Sequence, residues 1–174
     1  MLFALSRRLE SCVQSLARRK IALSFNKTFA ELTTMGVGGA IAVTAYPANF
    51  GEFVFCVNEV AKASLPSVVI GYGSNVVAWD GDFVGVVVCV KRFCGYSVKG
   101  DRLVASAGAS AAKIGWELQK RGLCGGEFLC CLPATIGGAV CSNAGCFGGE
   151  MQSVVTAVWA ISDGKIKKFS AKDC

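Results

Sequence analysis

Two stretches of this sequence combine residue types that could do chemistry. The first is "VVIGYGSN", residues 68–75, an apolar run that ends in Gly71, Tyr72, Gly73, Ser74 and Asn75. The second is "LPATIGGAVCSNAGCFGG", residues 132–149, where Pro133 fixes the approach, Gly137 adjoins Gly138, and Ser142 and Asn143 precede Gly145. Consecutive main-chain N–H groups in a tight turn form a nest that suits a phosphate oxygen. Glycine serves such a turn because no β-carbon keeps a ligand from the backbone. Ser74 and Asn75 would add a hydroxyl and an amide. A plain strand-ending turn also explains the first stretch, and tight packing against a sheet also explains the glycines of the second. Two concave, N–H-rich loops in one small chain suggest a long ligand with several acceptor groups. Helix termini at such loops would add a favourable dipole for an anion.

Several familiar sites are excluded. The Rossmann fingerprint needs G-x-G-x-x-G opening a helix, with an acidic residue about twenty positions on. Here Val76 takes the third glycine's place, "VVAWD" reads as extended, and "VKRF" lies where the acid should be. No glycine-rich turn leads to Gly-Lys-Ser or Gly-Lys-Thr, so there is no P-loop. The chain has no histidine and shows no acid–base pair, so the sequence identifies no general acid. Glu127 is the one tempting carboxylate within a motif, and helix or loop stabilisation is its simpler role. Ser142 and Ser153 are explained by loop geometry and capping.

The chain has 10 cysteines but no C-x-x-C pair. Without histidine a Cys/His zinc site is impossible, and no metal is expected. Cys56, Cys89 and Cys141 lie in apolar stretches, where a thiol behaves as a small hydrophobe. No secretory signal is visible, so free thiols in a reducing cytoplasm are expected.

These residues must be positioned by a chain of 174 residues, enough for one large domain or two small ones. Hydrophobic residues make up 53% and charged residues 17%, which excludes disorder. No apolar run approaches the ~20 residues that span a bilayer, so no membrane association is expected. The net charge of +6 includes Arg7, Arg8, Arg18, Arg19, Lys20 and Lys27. It suits an anionic ligand, although a solvated basic face is the commoner cause. Without interleaved aromatics or a reading helix, nucleic-acid binding is not expected.

Residues 2–21 place Leu2, Leu5, Leu9, Val13 and Leu16 on one helical face. Such an Arg-rich start can mimic a transit peptide, but a docked helix is the simpler reading. "NKTFAELTTMGVGG" (26–39) reads as irregular, "AIAVTAYP" (40–47) as a strand, and "NFGEFVFCVNEVAKAS" (49–64) as a helix capped by Asn49. "LPSVVIG" and "GDFVGVVVCVKRF" read as strands, and "GYSVKGDRLVASAG" as a strand pair hinged near Gly100. Residues 110–122 read as a helix capped by Ser110 and closed by Gly122. After the long glycine-rich connection, "SVVTAVWAIS" and "KIKKFS" form a hairpin pattern turning at Asp163-Gly164. Strands and helices without strict alternation indicate an α+β fold.

In order along the chain stand "TTMGVGG" (33–39), "LPSVVIGYGSNVV" (65–77), "GDFVGVVV" (81–88), "GLCGGEFLCCLPATIGGAVCSNAGCFGGEM" (122–151) and "KKFSAKDC" (167–174). This pattern resembles the N-terminal part of the UDP-N-acetylenolpyruvoylglucosamine reductases, flavoenzymes of peptidoglycan precursor synthesis in cell-wall biogenesis. The resemblance covers residues 31–174. It implies an FAD-binding fold of the vanillyl-alcohol oxidase / p-cresol methylhydroxylase type, with two small α+β subdomains and the flavin between them. The implied division is an N-terminal helical segment at 1–30, a first subdomain at 31–80 and a second at 81–174. Gly71, Tyr72, Gly73, Ser74 and Asn75 would hold the FAD pyrophosphate. Gly108 in "SAGAS", Pro133, Thr135, Gly137, Gly138, Asn143 and Gly145 would line a second wall.

The same resemblance implies NADPH as hydride donor and a UDP-sugar enolpyruvate as substrate, in the cytoplasm. Gly126 before Glu127 agrees with the family, whereas Ala134 stands where it usually has glycine. The family's Tyr-Arg pair, and the serine and glutamate of its C-terminal substrate domain, fall beyond Cys174. The expectation is therefore an FAD-binding portion with no catalytic residue of its own and little activity alone. The alternatives are a non-catalytic flavin or nucleotide-binding module, or a decayed fragment.

Overall fold

In a computed structural model, residues 7–173 are described; Leu2 and Leu5 of the expected helical face lie outside them. The chain forms two compact units, Met1–Phe93 and Cys94–Cys174.

The first unit begins with helix α1, Arg7–Arg18, whose Leu9, Cys12 and Leu16 are buried at helical spacing. Strand β1, Ala22–Phe25, follows, and then a one-turn helix α2, Phe29–Leu32. The sequence reading missed α2, yet its signal is present. Thr28 accepts from the Glu31 N–H while Glu31 accepts from the Thr28 N–H, a reciprocal capping box. Strand β2 spans Ile41–Tyr46, and helix α3 spans Phe50–Lys62. As expected, Asn49 caps α3 by accepting from the Glu52 N–H at 2.9 Å. Strands β3, Ser67–Ile70, and β4, Phe83–Cys89, complete the unit.

The sheet order is β1-β2-β4-β3, with β1 antiparallel to β2 and the other pairs parallel. A strand covered on both faces must be apolar throughout, and β4 is buried from Gly85 to Cys89. Val86 and Val88 pack with Leu9, Leu16, Cys56 and Val60 of α1 and α3. Val87 and Cys89 point the other way, to Phe29, Leu32, Ile41 and Ile70. Because β4 joins β2 to β3, the boundary between units falls after Phe93 rather than at residues 80/81.

The second unit opens with the hairpin β5, Tyr96–Lys99, and β6, Arg102–Ala105. Helix α4, Ala111–Lys120, is capped by Ser110, and Gly122 just beyond it has φ +67°. The glycine-rich connection is more structured than its composition suggests. It holds a 3₁₀ turn, Glu127–Cys131, helix α5, Ile136–Cys141, and the short pair β7, Gly145–Cys146, and β8, Gly149–Glu150. Strands β9, Ala157–Ser162, and β10, Lys165–Ser170, form the closing hairpin. The core gathers Ile114, Phe128, Leu129, Leu132, Ala139 and Met151. Among the described residues no helix is long and apolar enough to cross a membrane, and the nine described cysteines are free.

Candidate functional site

Strands β3 and β4 run parallel with Ile70 opposite Cys89, so their carboxyl ends deliver residues 71–75 and Val90–Arg92 to one edge of the sheet. In open α/β sheets that edge is where ligands bind. Among the described residues the N–H groups of Tyr72, Gly73, Ser74 and Asn75 donate to no main-chain carbonyl. The left-handed φ of +72° at Gly73 bends this run into a turn. Unpaired N–H groups in a bent run are the donor set of an anion nest.

Why Gly73 must be glycine is a different matter from the one the sequence suggested. Its bare side faces the protein itself. A β-carbon there would overlap the Leu32 carbonyl oxygen and lie 2.7 Å from the Thr33 Cα. The carbonyl of Gly73 also accepts from the N–H of Thr34 and from its hydroxyl, each at 3.1 Å. The loop after α2 therefore clamps the turn from behind, leaving the four N–H groups unengaged.

In the second unit, the "SAGAS" loop and the start of α5 are stitched together. Ile136 N–H donates to Ala109 and Gly137 N–H to Ala107, both at 2.8 Å, while Ala111 N–H donates to the Ala134 carbonyl at 3.0 Å. This brings Gly108, Thr135 and Gly137 into one loop cluster. At the start of α5 the N–H groups of Ile136 and Gly137 are thus engaged by carbonyls of the "SAGAS" loop. The close approach needs Gly137, whose β-carbon would sit 2.8 Å from that of Ala107. Thr135 is buried and caps α5, accepting from Gly138 N–H at 3.4 Å. In the "SAGAS" loop the N–H groups of Ala107 and Gly108 are among those that donate to no main-chain carbonyl of the described residues.

Pro133 lies exposed on this loop and Gly138 exposed in the first turn of α5. Asn143 and Gly145 serve a neighbouring turn. The Asn143 amide donates to Glu150 at 2.9 Å and its carbonyl accepts from Gln152 N–H at 2.8 Å, and Gly145 pairs with Glu150. Glu127 accepts from its own N–H and from that of Gly125, which holds its carboxyl below the usual carboxylate range. It stabilises its loop. Ser142 and Ser153 donate to the Gly138 and Glu150 carbonyls, local bonds that fit a structural role.

A bent run of unpaired N–H groups suits an anion such as a phosphate. Residues 41–170 match the family described as an FAD binding domain. The chain belongs to that family. A UDP-N-acetylenolpyruvoylglucosamine reductase of Syntrophus aciditrophicus is 34% identical over 166 residues, covering 92% of this chain and 51% of the relative. The crystal structure of the corresponding reductase from Thermus caldophilus superposes with a TM-score of 0.71 at 28% identity, over 87% of this chain and 53% of that one. Cholesterol oxidase from B. sterolicum shares the fold at 18% identity, with a TM-score of 0.64 over 87% of this chain and 33% of that one. The chain thus has the fold of the vanillyl-alcohol oxidase / p-cresol methylhydroxylase flavoproteins and corresponds to the FAD-binding region of the reductases. It spans about half the length of the curated relatives it matches. For this FAD-binding chain, the residues present fit the cofactor: the unpaired N–H run at Tyr72–Asn75 suits a diphosphate.

Proposed function

We propose that this chain is the FAD-holding part of an NADPH-dependent reductase acting on a UDP-sugar enolpyruvate, a step of cell-wall peptidoglycan synthesis in the cytoplasm. The observation that carries the reading is the clamped turn after β3, whose N–H groups from Tyr72 to Asn75 are free to donate. Those four groups would bind the diphosphate oxygens, with the Ser74 hydroxyl and Asn75 amide beside them. Gly71 sets the start of the turn and Gly73 its bend. The second unit has unpaired N–H groups of its own at Ala107 and Gly108, with Pro133 exposed on the adjoining loop and Gly138 exposed in α5. Thr135, Gly137, Asn143 and Gly145 shape the loops that carry them.

When bound, the flavin would supply the hydride chemistry, accepting hydride from NADPH and passing it to the enolpyruvyl double bond. The protein's share is position and electrostatics. The sequence holds no histidine, and the carboxylates and hydroxyls singled out in the glycine-rich connection are engaged in local bonds. The chain by itself is therefore proposed to bind flavin without turning substrate over.

The test is to add FAD to the purified chain, remove unbound cofactor, and record the visible spectrum and the NADPH oxidation rate with the enolpyruvyl sugar nucleotide. Retained yellow flavin with negligible turnover is expected. A chain that stays colourless at saturating FAD defeats the cofactor reading, and brisk turnover defeats the division of labour.

A further inference from the structure

Lysine 91 stands at the same sheet edge as the clamped turn, and no role has been assigned to it. It lies in the 3₁₀ turn Val90–Arg92 that directly follows β4. Its ammonium sits 6.0 Å from the centroid of the Tyr72 ring, at the outer limit of a cation–π contact. Its ammonium is also near enough to act on the Cys89 thiol at the end of β4. Lys27, Lys62, Arg121 and Lys167 each pair with a carboxylate. Lys91 makes no ion pair among the described residues, although it is half-buried. A partly desolvated cation without a counter-charge is costly unless an anion completes it. Tyr72, whose ring the ammonium approaches, is itself part of the unpaired N–H run.

We propose that Lys91 is a phosphate-binding residue, its ammonium held beside Tyr72 to pair with the diphosphate cradled by the N–H groups of Tyr72, Gly73, Ser74 and Asn75. The inference rests on the cofactor reading above and adds to it the charge that the turn itself lacks. Main-chain donors fix where the diphosphate lies. Lys91 neutralises what it carries. Tyr72 then has a function for its side chain as well as its backbone: its ring limits where the ammonium can go.

The test uses the whole chain, titrated with FAD, ADP and riboflavin in parent, Lys91→Gln and Lys91→Arg forms. ADP shares the diphosphate with FAD, and riboflavin lacks it. Loss of a charge-assisted bond to phosphate should weaken FAD and ADP about tenfold in Lys91→Gln. Riboflavin binding and the thermal midpoint should be unchanged, and the salt dependence of ADP binding should become shallower. Lys91→Arg should bind close to the parent. The proposal is overturned if Lys91→Gln binds ADP and FAD as tightly as the parent, or if all three ligands weaken together. Should the parent bind neither FAD nor ADP, the cofactor reading fails first and takes this inference with it.

Discussion

Thr34 donates both its main-chain N–H and its side-chain hydroxyl to the single carbonyl oxygen of Gly73, each over 3.1 Å. One residue of the loop after α2 thus fixes the orientation of a peptide plane in the turn after β3, 39 residues away in sequence. With that carbonyl turned toward Thr34, the adjoining N–H groups are free to face a ligand.

Thr34→Val should keep the main-chain bond and lose the hydroxyl one. A single such bond contributes about 1 kcal/mol, so flavin affinity should fall about fivefold, with Thr34→Ser restoring most of it. Fluorescence titration of FAD measures this. Equal affinity in Thr34→Val and the parent would show that the clamp does not orient the turn.

Gly73 and Gly36 separate two costs of replacing a glycine. Both have positive φ, +72° and +68°, but a β-carbon at 36 meets open space whereas one at 73 meets the Leu32–Thr33 main chain. Left-handed backbone alone costs about 1–2 kcal/mol for an alanine. Gly36→Ala should therefore lower thermal stability modestly. Gly73→Ala should lower it by several degrees more and abolish flavin retention, because backbone has to move. Matching melting temperatures for the two variants would contradict the close approach.

The buried thiols make a prediction about alkaline pH. Burial, with smaller contributions from Cys12 and Glu52, pushes the Cys56 thiol from 9.0 up to about 12. Below pH 9 the thiol is protonated whether the chain is folded or not. Between those two values the unfolded chain releases the proton and the folded chain does not, so the stability it contributes is lost as pH rises. The slope is about 1.4 kcal/mol per pH unit for one thiol. Cys12 and Cys89, also raised by burial, act in the same direction. Denaturant melts across this range should fall less steeply for Cys56→Ala than for the parent. In native protein a thiol reagent at pH 8 should label Cys94, Cys124, Cys131 and Cys141, which are exposed, and spare Cys12, Cys56 and Cys89. Rapid labelling of Cys56 without denaturant would refute its burial.

Much was legible in the sequence because its causes are local. Asn49 and Ser110 cap α3 and α4 through their own side chains, and Asp163-Gly164 turns β9 into β10 with both residues at positive φ. The helix α2 was equally local, written in Thr28 and Glu31, but one turn is too short to show an apolar period. Helix α5 was hidden for another reason. Gly137 and Gly138 argue against helix on propensity, and tertiary bonds to Ala107 and Ala109 override them.

The sequence by itself determined where the bare turns are, that the thiols cannot form a Cys/His metal site, and that the chain resembles a flavin-binding family. Only the tertiary structure decided what each glycine is for. It placed β4 between β2 and β3, turned the bare side of Gly73 toward Leu32 and Thr33, engaged the first N–H groups of α5, and brought Lys91 beside Tyr72. The reason is physical. A glycine permits close approach from any direction, and the sequence records the permission without naming the atom that comes near.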